Sequence, residues 1–116
     1  MRPLLTAGQR ARTLANGRRA AETGDNSDCF PVVKLFTPDG ACTWLLSELD
    51  PENPDIAFGL CDLGMGFPEL GCVRLSELEE TRGSIGLPIE RDRHFTADKP
   101  LSAYAEAARR WGCIQM

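Results

Sequence analysis

The chain has 116 residues, a mass of 12.7 kDa and a formal net charge of −4 at pH 7. This length suits one folded domain, and its 42% hydrophobic and 26% charged residues are typical of a soluble globular protein rather than a collagen-like, coiled-coil or disordered chain. No apolar run approaches the roughly 18 residues of a membrane span, and the acidic balance argues against generic nucleic-acid binding. Because the start of the chain lacks an apolar segment, we expect no signal peptide and a cytoplasmic location.

A helix is predicted near the start of the chain. Thr6 and Gln9 fit a capping box, in which the threonine is the N-cap residue and the glutamine reaches back to it. Asn16-Gly17 predicts the end of this helix, because glycine adopts the left-handed conformation at little cost. The polar, turn-rich residues 22–28 predict a loop.

The middle of the chain predicts four strands. Runs rich in β-branched, aromatic or other apolar residues cover 30–37, 42–47, 56–63 and 70–75. The linkers between them are short, which favours an antiparallel meander because parallel crossovers need a dozen or more residues. Cys42, Trp44 and Leu46 share one face of the second run, so Trp44 is predicted to lie in the core.

Two more helices are predicted in the last third of the chain. Ser76 and Glu79 fit a second capping box, which predicts a short helix that ends near residue 83. A last helix is predicted from Asp98 as N-cap, with Pro100 in its first turn. Five apolar residues of this helix share one face: Leu101, Tyr104, Ala105, Ala108 and Trp111.

These elements predict an α+β fold. We expect an antiparallel sheet of about four strands that packs with two to three short helices on one face. The single domain covers residues 1–116, with the N-terminal helix and loop over 1–28, the strands over 30–75, and the helices and their connecting loop over 76–116.

The cysteines show no paired spacing. They are Cys29, Cys42, Cys61, Cys72 and Cys113. Without a Cys-x-x-Cys motif, and with His94 as the only histidine, neither a zinc site nor a disulfide framework is predicted. Residues 64–66 lack the third glycine of a dinucleotide-binding loop, so no cofactor is expected. Three cysteines fall in strand runs, where we expect buried, reduced thiols.

Several ordered blocks of sequence lie between residues 30 and 105. They are VKLFTPDG (33–40), TW (43–44), FGLCDLG (58–64), PELG (68–71), LSELE (75–79), RG (82–83), GLPIERD (86–92) and HF (94–95). Together they resemble a bacterial family of single-domain proteins of unknown function, whose members are often encoded on plasmids and integrative elements. The resemblance implies a mobile-element setting and brings no known activity or catalytic residue.

Charge is spread unevenly along the chain. Residues 48–80 contain nine acids and one base. The densest acids are Glu77, Glu79 and Glu80, which would suit a basic groove on a partner if they imitate a nucleic-acid backbone. A solvated helix face is the simpler interpretation of the same residues.

A second group of polar residues lies at 90–94. Glu90, Asp92 and His94 alternate, so in an extended segment they share one side and form an acid–base cluster. The simpler interpretation is a charge-alternating surface segment that serves, together with Arg91, as an interaction surface. A Cys/His nucleophile pair would need Cys61 or Cys72 near His94, and burial in a strand would raise the pKa of such a thiol and silence it.

Three functions remain open from the sequence. The first, which we favour, is a small non-enzymatic accessory protein of a mobile genetic element that contacts an unidentified protein partner, with a homodimer left open. The second is an anti-defence protein that blocks a CRISPR or restriction complex with its acidic surface. The third is a small enzyme centred on Glu90, Asp92 and His94. No membrane partner is expected.

Overall fold

The computed structural model describes residues 3–24 and 29–115, and within them it confirms the α+β fold. The strands are β1 (Val33–Phe36), β2 (Thr43–Leu49), β3 (Ile56–Asp62), β4 (Glu69–Arg74) and β5 (Glu90–Arg91). The helices are α1 (Ala7–Thr23), α2 (Leu75–Glu80) and α3 (Leu101–Trp111). Residues 25–28 of the predicted loop lie outside the described residues. No helix in the described ranges is long and apolar enough to cross a membrane.

The five strands form one antiparallel sheet in the order β4-β3-β2-β1-β5. The first four strands make the predicted meander. The fifth is an addition to the expected count: Glu90 and Arg91 pair with Phe36 and Leu35 at the outer edge of β1. A register shift between Leu46 and Glu48 marks a bulge in β2.

The sheet carries apolar cores on both faces. Trp44 and Leu46 pack with Leu75 and Leu78 of α2 on one face. The intervening Leu45 points to the other face, where the core includes Leu60 of β3 and four residues of α3: Leu101, Tyr104, Ala105 and Ala108. The core position of Trp44 is confirmed, whereas the expectation of helices on one face only is wrong, because β2 is apolar on both sides.

Helix α1 begins as predicted and ends later than predicted. The Thr6–Gln9 capping box is present, but the helix continues past Gly17 and ends at Gly24, which has φ 75°. Gly17 serves packing instead, since a Cβ added there would overlap the backbone carbonyl of Leu49. Beside it, the Asn16 side-chain amide donates to the Ser47 carbonyl at 2.9 Å, which fastens α1 to β2.

The other two predicted N-caps are wrong. Ser76 lies inside α2, and its backbone N–H and hydroxyl both donate to the Asp55 carboxylate, at 2.9 and 2.7 Å. Helix α3 begins after Pro100, and Asp98 accepts a hydrogen bond from the Tyr104 hydroxyl at 3.0 Å. The predicted apolar face of α3 is buried except for Trp111, which is exposed.

All five cysteines lie among the described residues as free thiols. Cys29 is buried, Cys42 and Cys61 are half-buried, and Cys72 and Cys113 are exposed. The prediction that the strand cysteines are buried is therefore confirmed only in part, because Cys72 lies exposed on β4, the outer strand of the sheet. Burial raises the pKa of the Cys61 thiol to about 11, which keeps that thiol protonated at neutral pH.

Candidate functional site

A groove of about 590 Å³ follows the sheet edge where β5 pairs with β1; we call it the β1–β5 groove. It brings together the sequence-predicted Glu90, Arg91, Asp92 and His94. Its other walls come from β1 and the β1–β2 turn, and include Lys34, Phe36, Thr37, Ala41, Cys42 and Thr43. Arg93 lines the groove as well, and strand β5 ends at Arg91, so the groove collects consecutive residues rather than one side of an extended segment.

Two of the groove residues have structural contacts. Asp92 forms an ion pair with Lys34 (Nζ–Oδ2, 3.5 Å) and accepts the His94 backbone N–H at 2.9 Å. Arg91 donates to the Leu4 carbonyl at 2.9 Å and so holds the N-terminal segment. Within the described ranges no hydrogen bond joins the His94 imidazole to Glu90 or Asp92, so the three residues share a surface without forming a coupled acid–base pair.

The thiols that the sequence suggested for His94 lie elsewhere. Cys61 is on β3 and Cys72 on β4, which are separated from β5 by β1 and β2. Cys42 is the thiol that lines the same groove as His94. This neighbour could not be predicted from the sequence, because the two segments come together through the pairing of β5 with β1.

The acidic residues of α2 do not form a uniform negative surface. Glu77 and Glu80 are exposed and Glu79 is half-buried. Glu79 and Glu90 line one groove of about 420 Å³ that is also lined by three arginines: Arg82, Arg91 and Arg93. These cations weaken the negative potential that imitation of a nucleic-acid backbone requires.

Segments at one end of the sheet expose six large apolar side chains. We call this surface the apolar end; it consists of Leu63, Met65, Phe67, Ile85, Leu87 and Trp111. Phe67 is 81% exposed, Ile85 76% and Trp111 68%. This surface is not among the sequence predictions, although the apolar side chains within the glycine-rich turn at 64–68 are a signal for it.

The turns of the sheet bring the first part of the apolar end into place. Thr43 pairs with Asp62, so the β1–β2 and β3–β4 turns leave the sheet at the same end. Gly64, with φ 77°, lies against Ala41, because a Cβ added at Gly64 would be 2.8 Å from the Ala41 Cβ. Leu63, Met65 and Phe67 belong to this β3–β4 turn.

Two carboxylates fasten the remaining segments. Asp39 accepts the backbone N–H groups of Ile85 at 2.9 Å and Leu87 at 3.2 Å, which holds the 83–88 loop against the β1–β2 turn. Asp62 accepts the N–H groups of Gly64 at 2.9 Å and Ile114 at 3.0 Å, which anchors the segment after α3 beside the β3–β4 turn. Loops held in this way present their side chains with little loss of entropy on binding.

A single antiparallel sheet with helices on both faces defines the chain as a small α+β domain. The chain matches the model of the family described as "Protein of unknown function (DUF2958)" over residues 4–115, and it belongs to that family. This confirms the resemblance to an uncharacterised family. No curated protein and no solved structure matches the chain. No group of three or more His, Cys, Asp or Glu side chains in the described ranges is placed to hold a metal ion.

Proposed function

We propose that this protein acts by binding another protein, as a non-enzymatic accessory protein of a mobile genetic element, and that the apolar end is its contact surface. The observation that supports this proposal is the distribution of exposed apolar side chains. Of the eight large ones exposed in the described ranges, the six of the apolar end gather there, and only Phe30 and Leu70 are outside it. A concentration of exposed apolar side chains on one part of a fold is typical of interaction sites in soluble proteins.

The residue types of the apolar end fit this role. Aromatic residues and methionine are enriched at protein interfaces, and tryptophan is prominent among the residues that dominate binding energy. Phe67 and Trp111 are the aromatic residues of this surface. Met65 adds a flexible thioether, which adapts to irregular surfaces. The mobile-element setting and the cytoplasmic location rest on the sequence alone.

One observation favours a second candidate, a small enzyme centred on Glu90, Asp92 and His94. All three line the β1–β5 groove, whose volume falls within the range of roughly 300–1,000 Å³ typical of small-molecule sites. The ion pair of Asp92 with Lys34 counts against it, since that carboxylate already has a partner. An anti-defence role is a special case of protein binding, and the identity of the partner distinguishes it.

The test is affinity capture from a lysate of the native host, followed by mass spectrometry. We expect the tagged protein to retain one stoichiometric protein partner, and F67S/W111S to lose it. Phe30→Ser removes an exposed aromatic outside the apolar end and is the matched control, which should capture the partner normally. A triple variant, E90A/D92A/H94A, should also capture it.

Other outcomes would overturn the proposal. Equal capture by F67S/W111S and the wild type would remove the apolar end from the interaction. Loss of the partner only in the triple variant would transfer the function to the β1–β5 groove. Size-exclusion chromatography with light scattering would show whether the second copy of this chain, rather than another protein, covers the surface.

A further inference from the structure

Among the described residues, two carboxylate side chains are almost fully buried, and they differ in the hydrogen bonds that they accept. Asp62, which is 4% exposed, accepts two backbone N–H groups. Glu48, which is 5% exposed, has a buried Oε1 with no hydrogen-bond partner among the described residues. Buried polar atoms in folded proteins are nearly always hydrogen-bonded, so an unpaired carboxylate oxygen requires an explanation.

The Glu48 side chain lines a cleft of about 270 Å³ between α1 and the sheet, which we call the Glu48 cleft. Helix α1 contributes only small residues to it, Gly17, Ala20 and Ala21, which leave the space open. Strand β3 contributes the apolar side chains of Ile56 and Phe58. The cleft lies where β2 ends, and so at the opposite end of the sheet from the apolar end.

The charged groups that line this cleft are both acids. Asp50 lines it together with Glu48, and no Lys, Arg or His does so. The charge of Arg19 on α1 opposes the effect of burial and lowers the pKa of Glu48 in part. Its guanidinium nevertheless donates to the Cys29 Sγ at 3.2 Å and makes no ion pair with Glu48 in the described ranges. The cleft therefore combines apolar walls with two carboxylates that form no ion pair in the described ranges, although the exposed Asp50 accepts the Glu52 backbone N–H at 2.9 Å.

We propose that the Glu48 cleft binds a small primary amine with an aliphatic stem. An alkylammonium head has three N–H donors and a positive charge, which together satisfy the unpaired Glu48 oxygen and the second acid at Asp50. The stem would lie against Ile56 and Phe58. The cleft is slightly smaller than the roughly 300 Å³ at which drug-sized sites begin, which favours a short ligand.

Binding of this kind depends on pH in a defined direction. Burial raises the pKa of Glu48 to about 7, and Arg19 opposes that rise. Asp50 and Cys72 also face the cleft. Because an alkylammonium stays charged well above this range, the amine binds the ionised carboxylate, and affinity should increase by up to about tenfold from pH 6 to pH 8.

The experiment is an NMR titration of the full chain with n-butylammonium chloride at both pH values. We expect saturable shifts at Gly17, Ala20 and Phe58, with a Kd of roughly 1 mM or tighter at pH 8. Glu48→Gln should weaken binding by about tenfold or more, because the amide has no charge. Glu52→Gln, a change of the same chemistry at an exposed neighbouring acid, should bind like the wild type.

Uncharged and bulkier probes complete the test. n-Butanol has the same stem without the charge, and tetramethylammonium has the charge without N–H donors, so both should bind at least about tenfold more weakly. Equal binding of n-butanol, or unchanged binding by E48Q, would overturn the proposal. Binding of Nα-acetyl-lysine methylamide without binding of n-butylammonium would assign the cleft to a protein side chain and also overturn it.

Discussion

The free-energy cost of burying a carboxylate in this protein depends on the hydrogen-bond donors around its oxygen atoms. The N–H groups that Asp62 accepts replace the hydration it loses, and the cost of burial is offset. Glu48 lacks such donors, and desolvation therefore raises the pKa of its carboxyl group to about 7. Burial of a carboxylate is thus offset by hydrogen bonds at position 62 and is not offset in this way at position 48.

The first prediction concerns the pH dependence of stability. The folded-state pKa of Glu48 lies above its ordinary value of 4.5, so between about pH 4.5 and 7 the folded protein holds a proton that the unfolded chain has released. Its contribution to the free energy of unfolding is therefore present at low pH and is lost as pH rises through 7. We expect the wild type to lose about 1–2 kcal/mol from this group between pH 5 and 8, once screening by solvent and Arg19 is allowed for.

Glu48→Gln should remove this part of the slope and be more stable than the wild type at pH 8. Urea unfolding at pH 5 and pH 8 measures both free energies. Glu52→Gln is the control and should keep the wild-type slope. A slope in E48Q as steep as in the wild type would show that Glu48 ionises normally in the folded protein.

At the scale of elements, sequence patterns predict those helices and strands that depend on contacts between residues close in sequence. The meander followed from short linkers and strand-like runs, and the Thr6 capping box involves residues three apart. Strand β5 was missed because its two charged residues are extended through pairing with Leu35 and Phe36 rather than through their own propensity. The second cap was assigned wrongly for a similar reason, since Ser76 bonds to Asp55 from the turn before β3.

Gly17 gives the sharpest element-scale prediction. Its sequence context predicts a helix end, whereas it is the contact point of α1 on β2, and any Cβ there overlaps the Leu49 carbonyl. Gly17→Ala should therefore lower the free energy of unfolding by about 1–3 kcal/mol despite the better helix propensity of alanine. Gly8→Ala is the matched control in the same helix, with nothing within 4 Å of the added Cβ, and should stabilise by about 0.5–1 kcal/mol.

Chemical denaturation of the two variants gives the comparison directly. Equal stability changes for G17A and G8A would mean that α1 does not rest on β2 through Gly17. A selective loss in G17A, with faster hydrogen exchange along α1, would identify the helix contact as the cause.

At the scale of the whole molecule, the two proposed surfaces lie at opposite ends of one sheet. The nearness of Glu90, Asp92 and His94 could be expected, because they are close in sequence, but the groove that they line depends on the pairing of β5 with β1. The apolar end could not be expected, because its side chains come from the β3–β4 turn, the 83–88 loop and the end of α3. Only the folded chain brings Asp39 and Asp62 to the backbone groups that join these segments.

If the apolar end is the contact surface as proposed, the order of the 83–88 loop, which Asp39 holds, should affect partner binding. Asp39→Ala removes the acceptor of the Ile85 and Leu87 N–H groups, but both residues are exposed and water can replace the lost bonds. We expect a cost of about 1 kcal/mol and a melting temperature lowered by only a few degrees. Hydrogen exchange over 83–88 should become faster while β2 and β3 keep their protection. Because the mobile loop must then lose entropy when it becomes ordered on binding, the affinity for the partner should fall.

The control is Asp98→Ala, which removes a hydrogen bond to Tyr104 away from the apolar end. It should lower the melting temperature by a similar amount and leave both the exchange of 83–88 and partner capture unchanged. If D39A mobilises the loop and still captures the partner as well as the wild type, Ile85 and Leu87 are not part of the contact. The interface would then be limited to the β3–β4 turn and Trp111, in segments that Asp62 holds together. Phe67 and Trp111 would then account for the binding energy assigned to the apolar end.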